Sequence, residues 1–94
     1  MSLDVSPGET FDAMWDDLRP LGRDARTGGY RRFAWTPEDR AARAWFRAQA
    51  GRRGLDVTTD RNGNLWAWAG DPDAGVPGVV TGSHLDSVPD GGAY

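Results

Sequence analysis

The 94-residue sequence has no cysteine, no lysine, a single histidine and no long apolar run. Without cysteine, neither a disulfide framework nor a thiolate metal site can form, so any metal must be held by histidine and carboxylates. A membrane-spanning helix needs about 20 consecutive apolar residues, which no part of the chain supplies. The opening MSLDVSPGETF lacks the basic and apolar regions of a secretory signal, so a cytoplasmic location and no membrane partner are expected. All 11 basic residues are arginine, set against 14 acidic ones, and the net charge of −3 repels polyphosphates rather than gathering them.

What is present suits one small α/β piece spanning residues 1–94. Five Trp, three Phe and two Tyr make the chain too apolar for a disordered tail, while 13 Gly and six Pro make it rich in loops. Ser6-Pro7-Gly8-Glu9 reads as a helix start, with Ser6 as cap, Pro7 in the first turn and Glu9 as the capping-box acid. The spacing of Phe11, Met14, Trp15 and Leu18 predicts an amphipathic helix over 7–18, ended by Pro20. Residues 21–35 hold a Gly28-Gly29 pair and read as an irregular loop. Thr36-Pro37-Glu38-Asp39 repeats the start signal for a second helix, running to about Arg53 with Gly54 as its left-handed stop. On it, Ala41, Trp45 and Ala48 are expected to face inward beside Ala42 and Phe46, opposite Arg40, Arg43 and Arg47.

After Gly54 the period changes from 3.6 to 2, which predicts a strand from Leu55 to about Asp60. Asn62-Gly63 tolerates positive φ at both positions and predicts a hairpin returning through Leu65–Ala69. Val79-Val80-Thr81-Gly82 suits a third, buried strand. Two helices followed by about three strands are therefore expected.

The stretch TGSHLDSVPDGGAY begins where that third strand ends. In extended backbone, residues two apart face the same way, so His84 and Asp86 share a side while Ser83 points opposite. That geometry excludes a Ser-His-Asp triad built from these neighbours. It permits an imidazole that binds a metal through one nitrogen while a carboxylate accepts the proton on the other. The plain alternative is a polar strand end followed by a turn, because a mononuclear site normally needs three protein ligands. Asp90 has the same two readings, further ligand or turn residue, in Pro89-Asp90-Gly91-Gly92.

The segment from Gly82 to Tyr94 closely resembles the first metal motif of the dinuclear zinc amidohydrolases, which include N-carbamoyl-L-amino acid hydrolases and allantoate amidohydrolases. Gly22-Arg23-Asp24 through Gly28-Gly29-Tyr30, Trp35-Thr36-Pro37-Glu38-Asp39, Arg53-Gly54-Leu55-Asp56-Val57 and Asn62-Gly63-Asn64-Leu65 also look like the N-terminal portion of that family, in order. The resemblance implies the beginning of a three-layer αβα, zinc-aminopeptidase-like catalytic domain, interrupted in the whole enzyme by a smaller dimerisation domain. It implies that His84 matches a histidine metal ligand and that Asp86 matches the catalytic-site aspartate that orients it. It implies hydrolysis of a linear, non-peptide C–N bond in a ureido or carbamoyl substrate. It also implies two divalent ions in the full enzyme, zinc first, with manganese, cobalt or nickel as alternatives, and none held stably by these residues alone. In that family the carboxylate bridging the two ions follows the aromatic residue that Tyr94 matches, so the chain is expected to be the front of a larger enzyme, inactive by itself. An unpaired Val79-Val80 strand edge would favour self-association, and the full-length enzyme would be a homodimer.

Two other classes of function remain. One is a regulatory fragment that kept the fold and lost the chemistry. The other is a binding module, weakly recognising nucleic acid through Arg23–Arg32 with Tyr30, Phe33 and Trp35 as stacking surfaces.

Overall fold

The computed structural model describes residues 7–93, with side chains from Thr10 onward. Ser6, the Glu9 side chain and Tyr94 lie outside the described residues. The element order is α1 (Pro7–Leu18), α2 (Pro37–Arg52), β1 (Asp56–Thr59) and β2 (Leu65–Trp68). No described helix is long and apolar enough to cross a membrane. The chain divides into two compact units, residues 1–42 with 85–94 and residues 43–84, and the boundary runs inside α2.

In the first unit, α1 forms where the apolar spacing predicts it. Asp12, Asp16 and Asp17 are exposed and Met14, Trp15 and Leu18 are half-buried. Phe11 is 57% exposed, its ring stacked on Trp15 at 5.8 Å between centroids. The start of α2 is capped as its sequence predicts, with Thr36 Oγ1 accepting from the Asp39 N–H at 3.3 Å. The Asp39 carboxylate reaches back to the Trp35 N–H at 3.1 Å, one residue before the cap, and is buried in doing so. The cap holds Trp35 at φ 68°, a left-handed conformation unusual for a bulky residue, and leaves its ring 80% exposed.

In the second unit, α2 ends in a Schellman motif. The Leu55 N–H donates to the Ala50 carbonyl at 2.9 Å and the Gly54 N–H to the Gly51 carbonyl at 3.1 Å, with Gly54 at φ 71°. β1 and β2 pair antiparallel in the register Asp56↔Trp68 through Thr59↔Leu65. Arg47 Nη2 donates to Thr59 Oγ1 at 3.1 Å, joining α2 to β1.

The hairpin differs from its expectation in the turn. The Gly63 N–H bonds to the Asp60 carbonyl and the Asp60 N–H to the Asn64 carbonyl, both at 3.0 Å, closing a three-residue loop in which only Gly63 takes positive φ. Asp60 explains the choice. Its carboxylate accepts from the Asn62 and Asn64 N–H groups, the Asn64 amide and the Trp66 indole, all at 2.9 to 3.0 Å. Trp66 and Trp68 stack at 5.5 Å, and the Trp68 indole donates to Thr58 Oγ1.

These bonds, led by the Trp66 indole and then by Asn64, lower the Asp60 pKa from 3.8 to about 2. A depressed folded-state value contributes stability that is present above pH 3.8 and lost as pH falls toward 2. The Trp66 indole N–H resonance is therefore expected to titrate with a midpoint near 2. Asp60→Asn should abolish that titration, and a midpoint at the ordinary value of 3.8 would contradict the network.

Two expectations are corrected. On α2, Asp39, Ala42 and Ala50 are buried and Trp45 and Phe46 half-buried, whereas Ala41 and Ala48, expected inward, are exposed and Arg43, expected outward, is half-buried. Alanine is too small to mark a face by itself, and the capping bonds of Asp39 bury a residue that hydrophobic periodicity does not count. The third strand is absent among the described residues: 79–82 belong to no ladder, and Val79 and Val80 are 98% and 72% exposed. A strand exists only with a partner, and no described segment pairs with these residues.

Candidate functional site

The segment from Leu85 onward is held by residues of the loop after α1. Tyr30 lies at the centre of this arrangement, 5% exposed, bridged to Arg23 on one side and to Gly91 on the other. The Tyr30 N–H donates to the Gly91 carbonyl, and the Asp90 N–H to the Tyr30 carbonyl, each at 2.9 Å. One residue pair further on, the Ser87 N–H donates to the Arg32 carbonyl at 2.7 Å and the Ser87 hydroxyl accepts from the Arg32 N–H at 3.1 Å. On the opposite side, the Arg31 N–H donates to the Gly22 carbonyl at 2.7 Å. Residues 30–32 are thus bonded on both sides, to residues 22–23 and to residues 87–91.

Side chains tie this layer to α1. The Tyr30 hydroxyl donates to the Arg19 carbonyl. The Arg32 guanidinium donates to the carbonyls of Leu18, Leu21 and Leu85 at 2.8, 2.9 and 3.2 Å and lies 5.0 Å from the Tyr30 ring centroid. A cation at the end of α1 also complements the helix dipole there.

The neighbouring charges are similarly engaged. Asp24 accepts from the Arg26 N–H at 2.9 Å, and Arg31 Nε lies 3.7 Å from both Asp24 and Asp90. The Arg26 N–H, then the Arg26 side chain, and more weakly the Arg31 charge hold the Asp24 carboxyl below its ordinary value. Arg23 Nε donates to the Gly28 carbonyl. Of the aromatic residues suggested as stacking surfaces, Tyr30 is buried and Phe33 half-buried, and only Trp35 is open.

Along the motif itself, His84 and Asp86 are exposed while Leu85 and Ser87 are half-buried, the alternation that an extended backbone produces. Asp90 sits at φ 53° in a turn closed by the Gly91 N–H on the Val88 carbonyl at 3.1 Å. Pro89 then positive φ is the type II pattern, so turn chemistry and the Arg31 pair account for Asp90. Among the described residues no three His, Cys, Asp or Glu side chains gather.

The sequence placed Arg32 in an arginine-rich loop and Ser87 beside Asp86 but gave no sign that the two are paired. They lie 55 positions apart, and nothing local marks either as the other's partner.

A crystal structure of a hydantoinase/carbamoylase family amidase from Burkholderia ambifaria superposes with a TM-score of 0.81 at 35% identity, over 98% of this chain and 22% of that one. The chain is similar to the hydantoinase/carbamoylase amidohydrolases. The N-carbamoyl-L-amino acid amidohydrolase of Geobacillus stearothermophilus is 37% identical over 87 residues, 88% of this chain and 21% of that protein. A ureidoglycolate hydrolase of Arabidopsis thaliana is 35% identical over 72 residues, 76% of this chain and 15% of that protein. The chain therefore spans about a fifth of the length of such amidohydrolases. No protein-family model matches it.

Proposed function

We propose that these 94 residues are part of a metal-dependent amidohydrolase that hydrolyses a linear C–N bond in a ureido or carbamoyl compound, such as an N-carbamoyl-L-amino acid or allantoate. The observation that carries this reading is the coincidence of the whole chain with a hydantoinase/carbamoylase amidase at a TM-score of 0.81. Homologues named for carbamoyl and ureido substrates support the substrate class. In this reading His84 is one metal ligand and Asp86 orients its imidazole, and both side chains are exposed. Two divalent ions, zinc first, belong to the whole enzyme. The groups that complete their coordination come from a longer protein.

For a carbamoyl substrate, water adds to the carbamoyl carbon and the C–N bond to the amino acid breaks. The free amine takes a proton, and the carbamate left behind decomposes to ammonia and carbon dioxide.

By itself the 94-residue chain is expected to release no ammonia from N-carbamoyl amino acids and to bind no zinc tightly, since one imidazole and one carboxylate cannot displace the hydration of two ions. Calorimetric titration checks this, and submicromolar binding of two zinc ions per chain would refute it. The same sample is expected to self-associate through the exposed Val79-Val80 stretch, giving an apparent mass that rises with concentration on sizing.

A further inference from the structure

Both peptide units that flank Asp86 are held by one residue. The Leu85 carbonyl accepts from Arg32 Nη1 at 3.2 Å, and the Ser87 N–H donates to the Arg32 carbonyl at 2.7 Å. The Ser87 hydroxyl, accepting from the Arg32 N–H at 3.1 Å, closes the clasp. Arg32 is itself immobilised, by its bonds to the Leu18 and Leu21 carbonyls and by the Tyr30 ring beneath it. Between the two pinned peptide planes only the dihedrals of Asp86 are left to vary, and the ends of that span are fixed.

We infer that Arg32 is a positioning residue for Asp86, setting the direction in which its exposed carboxylate leaves the backbone. The inference rests on the proposed role of Asp86 as the group that orients His84. The chemistry requires arginine. A planar fork with five N–H donors serves three carbonyls on two separate stretches of chain, whereas a lysine ammonium is a compact point charge that cannot span them. Arg32 also brings the clasp into register with α1, because one guanidinium joins the helix end at Leu18 to the motif at Leu85.

The test uses the isotopically labelled 94-residue chain and reads the Ser87 amide exchange rate, the three-bond backbone coupling of Asp86 and its carboxylate carbon shift. Arg32→Lys keeps a positive charge beside the end of α1. In that variant Ser87 exchange should rise about tenfold or more, while the amides of Leu55 and Asp60 change by less than about twofold. The Asp86 coupling should move toward its random-coil average.

Ser87→Ala removes only the hydroxyl half of the clasp and should shift the Asp86 coupling in the same direction. Tyr30→Phe, which loses the bond to Arg19 but none made by Arg32, should leave Asp86 as it was. An unchanged Asp86 in Arg32→Lys overturns the inference. So does uniform acceleration of every amide in that variant together with an unchanged Asp86 in Ser87→Ala. Neither metal nor substrate enters these measurements, so their failure is distinct from failure of the hydrolase reading.

Discussion

In a chimera that carries these 94 residues in place of the matching fifth of the Geobacillus stearothermophilus N-carbamoyl-L-amino acid amidohydrolase, His84→Ala is expected to remove ammonia release almost entirely. Asp86→Ala in the same chimera should lower activity and metal affinity by roughly 10- to 100-fold, the usual consequence of deleting a carboxylate that orients a metal-bound imidazole, and His84→Ala by more. The order matters as much as the size, because a ligand makes a bond that its orienting group only directs. Metal content should follow the same order. If the parent chimera hydrolyses its substrate and His84→Ala does so equally well, the metal-ligand role of His84 fails.

Gly29→Ala is expected to destabilise the unit that holds the motif. A Cβ on Gly29 would stand 2.7 Å from Asp90 Cα and 3.0 Å from its carbonyl carbon, and these backbone atoms belong to the turn bonded to Tyr30. No side-chain rotation relieves such a contact, so the two segments must separate. Overpacking of this kind costs about 1–3 kcal/mol, which for a domain of this size lowers Tm by very roughly 4–20 °C. Exchange of the Tyr30 and Asp90 amides should accelerate as their bonds lengthen. Gly51 is the internal control. It lies within α2 with open space where its Cβ would be, so Gly51→Ala should stabilise by about 0.5–1 kcal/mol. Equal melting temperatures for the two variants would contradict the close approach of Gly29 to Asp90.

How far the sequence could be read depended on the range of the interaction involved. The two helices, the Thr36 cap, the Gly54 stop and the hairpin rest on pairings between residues no more than 12 positions apart, and each was expected close to where it occurs. On α2, Trp45 is covered as expected together with Ala42 and Phe46, but Ala41 and Ala48 are exposed, since alanines give hydrophobic periodicity little contrast. Asp60 was read only as part of a polar alternation, although its four accepted bonds organise the turn. The expected strand at 79–82 failed for another reason: apolar composition favours a ladder, but the hydrogen bonds must come from elsewhere.

The sequence alone determined the local elements and marked His84 and Asp86 as the pair worth testing, because helix caps, glycine stops and two-residue alternation act over a few bonds. Only the tertiary structure decided what holds the backbone on either side of Asp86. The bonds from Arg32 to Leu85 and Ser87 cross 53 and 55 residues, and closure of so long a stretch is governed by packing that no local pattern records.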